Sequence, residues 1–300
     1  MAEKKVLGTL LGVALGDGLG ESPFLLTEGG PIPPTDDTVM TYALAEVLVE
    51  EKRPDPQRSL EKYLDLFERG ILTKVGATTL RALERFKRTR NWFYAGVISE
   101  RAAGNGVAMR ISPLGLYAAL KNLPLEDFYE SVRHEGYATH RNELAILGAF
   151  AVAFGVHLNL REDLPKEEVL KEVVGILKNL GEVGPLVDRL EEALKLHLRK
   201  VSPADALRRL GTGGFVVETV ASAYYLFLRS EEFTEGLFPL WEVGGDADTI
   251  GAVFGSLFGS FYGAATLPPA LVERLEVLPW ALRLTEGLLS LGKSPPSAGS

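Results

Sequence analysis

Glycine recurs at intervals of four residues in one long uncharged segment, and this feature constrains the fold more than any other. The segment runs from residue 249 to residue 272, and its glycines are Gly251, Gly255, Gly259 and Gly263. Apolar residues follow the spacing of one helix face: Ile250, Val253, Phe254, Leu257, Phe258 and Phe261. Because each glycine costs a helix about 1 kcal/mol relative to alanine, four in register predict a helix that a second helix approaches closely.

The same helical periodicity extends over most of the chain. Further helices are predicted over residues 38–49, 58–69, 76–88, 107–120, 125–133, 141–157, 166–180, 185–199, 214–229 and 278–291. Alternating strand patterns and Asn-Gly hairpin turns are scarce, and no linker divides the chain. The sequence therefore predicts an all-α fold, a single compact multi-helix domain over residues 1–292. The small, proline-containing end at 293–300 is predicted to be a disordered tail.

Composition excludes several classes of function. The chain has 300 residues, 40 of them acidic and 32 basic, with a net charge of −8. An acidic balance of this kind argues against binding to long nucleic acids. The absence of cysteine excludes disulfides, thiolate catalysis and cysteine-bound zinc. One Gln and six Asn beside many charged residues are typical of a thermophile protein.

Two apolar segments invite a membrane or export interpretation. Lys4 and Lys5 precede the stretch VLGTLLGVALG, but no A-x-A-like cleavage site follows. The uncharged segment at 249–272 is long enough to span a bilayer. It contains four glycines and Pro268-Pro269, however, so a buried core helix is the preferred interpretation. The sequence predicts a cytoplasmic protein without a membrane partner.

Two acidic strings stand at predicted helix starts. They are PTDDTV, with Thr35, Asp36 and Asp37, and GGDADTIG, with Asp246, Asp248 and Thr249. Such residues often cap helices by accepting free backbone N–H groups. One aspartate suffices for a cap, whereas two pairs that met in the fold would need cations. Carboxylate and hydroxyl oxygens favour Mg²⁺ or Mn²⁺ over zinc. Metal binding and capping both remain open at this point.

Other polar residues are candidates for binding. The string GNGVAMR, from Gly104 to Arg110, is predicted to open a helix, where bare N–H groups suit a phosphate. An ordinary helix-entry loop is the alternative, and no Gly-Lys-Ser/Thr follows as in a Walker A motif. His140 is predicted to begin a helix. Glu218, on an apolar helix, either pairs with a base such as Arg110 or faces a site.

Taken together, six strings resemble the ADP-ribosylglycohydrolase family, which includes the enzymes that remove ADP-ribose from arginine of dinitrogenase reductase. The strings are GVALGDGLGE, TDDTVM, GNGVAMRISPLG, YATHRNE, GGFVVETVASAYYLF and GGDADTIGAVFGSLFGSFYGA. They occur in the family's order over about residues 6–264. The resemblance implies an all-α fold with two Mg²⁺ or Mn²⁺ ions at the base of an ADP-ribose cleft.

The resemblance also implies roles for individual residues. The implied metal ligands are Thr35, Asp36, Asp37, Asp246, Asp248 and Thr249. Gly104, Asn105 and Gly106 would cradle the pyrophosphate, and His140 would touch it. Asp37, Asp248 or Glu21 would serve in catalysis, Glu21 because it follows a flexible GDGLG turn where some members place a catalytic or gating glutamate.

The implied activity is hydrolysis of the bond between ADP-ribose and a modified protein or small molecule. Arginine, serine, O-acetyl and polymeric linkages remain possible, and the oligomeric state is open. An isoprenoid synthase is an alternative, but its DDxxD motif would need an acid where Met40 stands. A non-catalytic ADP-ribose binder or a structural protein on the same scaffold is another alternative.

Overall fold

The computed structural model describes residues 1–181 and 184–293, and nearly all regular structure in these residues is helical. The α-helices are α1 (Ala2–Glu21), α2 (Leu25–Glu28), α3 (Asp36–Glu51), α4 (Pro56–Glu68), α5 (Ala77–Thr89), α6 (Trp92–Ala95), α7 (Ser112–Lys121), α8 (Leu125–Tyr137), α9 (Glu143–Arg161), α10 (Lys166–Asn179), α11 (Pro185–Leu198), α12 (Pro203–Leu210), α13 (Val216–Arg229), α14 (Phe238–Val243), α15 (Ala247–Tyr262), α16 (Pro269–Val272) and α17 (Leu278–Lys293). Short 3₁₀ turns lie at Glu100–Ala102, Phe233–Gly236 and Ala264–Thr266. The predicted all-α class is confirmed.

Helix α15 is the predicted glycine-ridged helix, and its partner is α1. The two helices run antiparallel, because Gly8, Gly12 and Gly16 of α1 face Gly259, Gly255 and Gly251 of α15 in reverse order. A Cβ atom added at any of these six glycines would overlap a backbone carbonyl oxygen of the opposite helix. The glycines therefore allow backbone-to-backbone contact along about two turns of each helix, and other apolar faces pack around this central pair.

The uncharged segment at 249–272 is not one continuous helix. Helix α15 ends at Tyr262, and Gly263 follows with a φ of 85°, a left-handed angle that glycine adopts without strain. A 3₁₀ turn and the four-residue α16 complete the segment. Among the described residues only α9 has the length and apolar composition to cross a membrane. Since 72% of its most apolar window is buried inside the protein, α9 has the environment of a core helix.

Several element boundaries differ from the sequence-based expectations. The helix expected at 107–120 begins only at Ser112, and GNGVAMR forms turns before it. The GDGLG string is not a turn, because it lies inside the continuous helix α1. His140 does not begin a helix; it lies in β2 (His140–Arg141), which pairs in parallel with β1 (Val97–Ile98). Helices α12 and α14 were not predicted, since eight and six residues are too few for a clear periodicity.

The chain end was predicted to be a tail from residue 293. Lys293 is instead the last residue of α17, and the remaining tail residues lie outside the described part of the chain.

The packing of α1 against α15 determines where the two acidic strings meet. The C-terminal end of α1 lies beside the first turn of α15, because a Cβ at Gly20 would overlap Ala247 and Asp248. The same end of α1 holds the start of α3, because Asp17 accepts hydrogen bonds from the backbone N–H groups of Thr35 and Thr38. Two helix starts about 210 residues apart in sequence are thus fixed against one helix end.

Candidate functional site

Asp17 of α1 organises the start of α3. One carboxylate oxygen, Oδ2, accepts the backbone N–H groups of Thr35 at 2.9 Å and Thr38 at 3.2 Å, together with the Thr38 hydroxyl. The other oxygen, Oδ1, accepts the Thr35 hydroxyl at 2.6 Å. Asp17 itself is fully buried. The sequence-based analysis missed this residue, although an aspartate inside a long apolar segment was an available signal.

The two acidic strings converge on one pocket. Asp36, Asp37, Asp246, Asp248 and Thr249 all line it. Carboxylate oxygens of Asp17, Asp37 and Asp248 lie within 4.8 Å of one another. The Oδ1 atom of the buried Asp37 has no hydrogen-bond partner among the described residues. Because buried polar atoms are rarely left unpaired, this oxygen has the environment of a cation ligand.

Helix capping does not account for these carboxylates. The N-cap of α3 is Thr35, whose hydroxyl accepts the Asp37 N–H at 3.3 Å. Asp246 occupies the N-cap position of α15 but makes no side-chain capping hydrogen bond. Its Oδ2 instead accepts the Asn105 side-chain amide at 2.7 Å. The two aspartate pairs are therefore free to face the pocket.

Burial and mutual repulsion disfavour the ionised form of the clustered carboxylates. Burial, followed by the charge of Asp17, raises the pKa of Asp36 to about 7. Burial raises the pKa of Asp17 to about 6, against opposing hydrogen bonds from Thr35 and Thr38. Burial and the neighbouring Asp246 raise the pKa of Asp248 to about 8. For Asp37, burial and the charge of Asp17 raise the pKa well above its ordinary value.

The residues present fit divalent cations. The donor set consists of hard oxygen atoms, several carboxylates share one small volume, and one buried oxygen lacks a partner. Mg²⁺ and Mn²⁺ prefer such oxygens. Thr35 lies at the edge of the cluster, because its hydroxyl donates to Asp17 and lies 3.2 Å from Asp37 Oδ2. Asp17 is a weaker candidate ligand than Asp37, since its oxygens already accept four donors.

The pocket is also lined by a loop with unpaired backbone N–H groups. Gly104, Asn105 and Gly106 line it, and the Asn105 N–H donates to Gly214 O at 3.0 Å. The N–H groups of Gly106 and Val107 have no acceptor among the described residues. Successive free N–H groups of this kind suit a phosphate. The segment precedes α7 by several residues, so the predicted placement at a helix start is wrong, whereas the placement at the pocket agrees with expectation.

A second set of N–H groups comes from α5, which sequence analysis did not assign to the site. Gly76, Ala77, Thr78 and Thr79 line the pocket at the N-terminus of this 13-residue helix. A helix N-terminus carries about half a positive charge and free N–H groups. The predicted helix at 76–88 was close to correct, but its orientation toward the acidic strings depends on tertiary packing.

The glycine at 106 is required for space and not for backbone conformation. Its φ is not positive. A Cβ there would lie 2.9 Å from His140 Cε1 and 3.3 Å from Thr79 Oγ1. Gly244 and Gly245, by contrast, have left-handed φ angles of 77° and 94°, which glycine adopts without strain in the loop before the second acidic string.

Glu21 lies at the rim of the site, and its predicted catalytic role stays a prediction. It is the last residue of α1, is not among the residues that line the pocket, and pairs with Lys74 Nζ at 2.7 Å. Lys74 does line the pocket. The Glu21 side chain is 39% exposed, so this ion pair contributes little to stability.

Arg110 and Glu218 do not pair with each other. Arg110 pairs with Glu135 at 3.4 Å and donates to Gly106 O at 2.7 Å, so the suggested pair with Glu218 is wrong. Glu218 instead accepts the Gly213 N–H at 2.7 Å. His140 is buried and lines the pocket, and burial lowers its pKa to about 3, so its imidazole is neutral.

Comparison with known proteins shows to which family a chain with this arrangement belongs. The family model described as ADP-ribosylglycohydrolase matches residues 1–297. This chain belongs to the ADP-ribosylglycohydrolase family. An ADP-ribosylglycohydrolase-related protein complex of known structure superimposes with a TM-score of 0.71 at 29% identity, covering 97% of this chain and 99% of that one.

Three relatives of this ADP-ribosylglycohydrolase are 25%, 27% and 29% identical to it. The ADP-ribosylarginine hydrolase Tri1 of Pseudomonas putida is 27% identical over 89% of this chain and 73% of its own length. The human ADP-ribosylhydrolase ARH3 is 25% identical over 81% of this chain and 74% of its own. An uncharacterised Archaeoglobus fulgidus protein is 29% identical over 86% and 88%. Family membership indicates a hydrolase that acts on ADP-ribose linkages.

Proposed function

We propose that this chain is a divalent-metal-dependent hydrolase that cleaves the glycosidic bond between ADP-ribose and a protein or small-molecule acceptor. The observation that carries the proposal is the composition of the pocket. Four aspartates from two distant helix starts line it, together with free N–H groups of Gly106 and of the first turn of α5. ADP-ribose has groups that bind both, since its ribose hydroxyls bind cations and its pyrophosphate accepts N–H donors.

The metal ligands that we propose are Asp36, Asp37, Asp246 and Asp248, with Thr35 and Thr249 completing two sites. Bound Mg²⁺ or Mn²⁺ would fix ribose hydroxyls and lower the pKa of a water molecule. Gly104, Asn105 and Gly106 would hold the pyrophosphate. Asn105 would also orient Asp246, because its amide donates to that carboxylate and the Thr219 hydroxyl lies 2.9 Å from the same amide nitrogen.

Cleavage requires a base that removes a proton from the attacking water. Asp37 and Asp248 lie inside the pocket next to the proposed ion sites, whereas Glu21 lies at the rim. Glu21 would have to leave Lys74 before it could accept a proton from water in the pocket. We therefore propose that a buried aspartate serves as the base and that Glu21 acts at the entrance.

A panel of linkages tests the proposal. Purified protein with Mg²⁺ or Mn²⁺ is incubated with ADP-ribosyl-arginine protein, ADP-ribosyl-serine peptide, O-acetyl-ADP-ribose and poly(ADP-ribose), and free ADP-ribose is measured by chromatography. We expect release from at least one substrate and none after chelation of the metal. Binding of ADP-ribose without release from any substrate would contradict the proposal and favour a binding protein.

A second prediction concerns stability, and its sign follows from the raised carboxylate pKa values. An acid whose pKa rises on folding stabilises the protein below its unfolded pKa, and this contribution is lost as pH rises through the folded pKa. For Asp36 and Asp248 the loss extends from about pH 4 to about pH 8. Cations favour the ionised form, so we expect metal to stabilise the protein more at about pH 8.5 than at about pH 5.5.

The measurement is thermal unfolding with saturating Mg²⁺ or with EDTA at both pH values. A ligand at 100 times its Kd adds about 2.7 kcal/mol, which corresponds to a melting shift of about 5 °C for a chain of this size. Other titrating groups, including the buried His140, are present with and without metal and cancel in the difference. A metal-induced shift that is absent, or larger at the lower pH, would contradict the prediction.

A further inference from the structure

Arg110, a fully buried cation, is connected to the pocket by hydrogen bonds. It lies in the turn before α7. Its Nη1 donates to Gly106 O at 2.7 Å, and its Nη2 donates to Glu135 O at 3.2 Å and to Thr139 Oγ1 at 3.0 Å. Glu135 and the face of the Tyr63 ring balance its charge. Arg110 thus contacts the pocket loop on one side and the residue before His140 on the other.

Thr139 transmits this contact to His140. The Thr139 side chain is fully buried, and its Oγ1 lies 2.8 Å from His140 Nδ1. A threonine hydroxyl has one proton and two lone pairs. Arg110 fills one lone pair, and the alternative acceptor for the hydroxyl proton is Gly136 O at 3.5 Å, which already accepts the Thr139 N–H at 3.0 Å. The Thr139 hydroxyl therefore donates its hydrogen bond to Nδ1, which accepts it.

The other ring nitrogen faces the pocket. His140 is 2% exposed and lines the pocket. Its Nε2 has no hydrogen-bond partner among the described residues, and a Cβ at Gly106 would lie 3.1 Å from it. An imidazole that accepts at Nδ1 and stays neutral must carry its proton on Nε2. The pocket loop and this nitrogen are thus positioned by the same arginine.

We propose that Thr139, held by Arg110, is a positioning residue that locks His140 as the Nε2–H tautomer and so presents one neutral N–H donor to an anionic oxygen of the substrate. The inference rests on the proposed function only for the identity of that oxygen, a pyrophosphate oxygen of ADP-ribose. A neutral donor suits this position, because a protonated His140 would be a buried positive charge beside the positive charge of Arg110. The hydroxyl of Thr139, and not its size, is what the lock requires.

The direct test is ¹⁵N NMR of the imidazole in protein that is saturated with Mg²⁺ and free of ADP-ribose. Long-range ¹H–¹⁵N correlations distinguish the two neutral tautomers, and the His140→Gln spectrum identifies the resonances that belong to this residue. We expect protonated Nε2 and unprotonated Nδ1 in the wild type and in Thr139→Ser. In Thr139→Val the Nδ1 atom loses its donor, so its ¹⁵N resonance should move toward that of an imidazole nitrogen without a hydrogen bond. A wild-type Nδ1–H tautomer would overturn the proposal whether or not any variant folds.

Affinity provides a second readout. Calorimetry of ADP-ribose in saturating Mg²⁺ should show a Kd about tenfold higher for Thr139→Val, as expected for loss of one hydrogen bond to a charged acceptor, and a near-normal Kd for Thr139→Ser. Mg²⁺ affinity should be equal in all three proteins. An unchanged Nδ1 resonance and Kd in Thr139→Val would also overturn the proposal. Failure of the wild type to bind ADP-ribose would contradict the proposed function, whereas the tautomer measurement would still decide the role of Thr139.

Discussion

Asp248→Asn is expected to lower turnover by more than about 100-fold and to weaken Mn²⁺ binding. Substitution of groups that merely support a metal ligand costs about 10–100-fold, and Asp248 is itself a proposed ligand in the pocket. Asparagine has nearly the same shape, so the change removes one negative charge and little packing. Because Asp248 is close to Asp37 and Asp246, the variant should be at least as stable as the wild type without metal. The measurements are Mn²⁺ calorimetry, turnover and melting in EDTA.

Gly106→Ala is the matched contrast for Asp248→Asn. Its new methyl group would press on His140 and Thr79 without touching the carboxylates. ADP-ribose affinity should therefore fall while Mn²⁺ affinity stays near that of the wild type. If Asp248→Asn keeps full Mn²⁺ affinity and turnover, the GGDADT string does not bind metal in this protein. If both variants lose metal and ADP-ribose affinity together, the aspartates and the loop that contains Gly106 do not form separate subsites.

Sequence patterns pointed to the aspartates that line the pocket more readily than to the residues that hold them in place. Asp36 and Asp248 belong to strings whose doubled charges exceed what helix capping needs, so local chemistry was enough to select them. Asp17 could not be recognised in the same way, because its role is to accept four hydrogen bonds from residues that lie 18 to 21 positions later in the chain. The N-terminus of α5 was also missed, since a glycine before a helix is common and only tertiary packing directs it into the pocket.

The contacts that set the tautomer of His140 also left no recognisable pattern in the sequence. His140 was predicted to begin a helix. It lies instead in the two-residue strand β2, opposite Val97 of the parallel strand β1. Strands this short leave no alternating pattern. A pair with Arg110 was one of the two alternatives for Glu218, which lies on an otherwise apolar helix. The actual partner of Arg110, Glu135, lies on an ordinary amphipathic helix and had no distinguishing signal.

For the fold, the glycine ridge of α15 predicted a close helix contact but not the identity of the partner. The complementary ridge in α1, with Gly8, Gly12, Gly16 and Gly20 at the same interval, was present in the sequence. It was obscured because the segment resembles the apolar core of an export signal and because GDGLG is typical of a turn. Matching the two four-residue glycine periods would have identified α1 as the partner of α15. The antiparallel direction, which brings the acidic strings together, follows from the structure and not from the equal spacing.

The glycine contact yields the prediction with the largest effect on stability. Gly255→Ala places a methyl group where Gly12 O now lies, and neither backbone can move without separating α1 from α15. Overpacking of a rigid core costs about 1–3 kcal/mol and occasionally more, and a backbone-to-backbone contact belongs at the upper end. Gly175→Ala in α10 is the control, because a Cβ there has no neighbour within 4 Å. It should stabilise the protein by about 0.5–1 kcal/mol, since alanine is the better helix former.

Denaturant unfolding in EDTA separates the two substitutions, because metal binding then contributes nothing to stability. The identical chemical change should lower the midpoint at residue 255 and raise it slightly at residue 175. Since α1 and α15 also hold the two acidic strings together, Gly255→Ala should weaken Mn²⁺ binding although residue 255 lies two turns from the carboxylates. A Gly255→Ala protein with wild-type stability would show that the helices are not in the backbone contact described here. A destabilised protein with intact Mn²⁺ affinity would show that the site keeps its geometry without that contact.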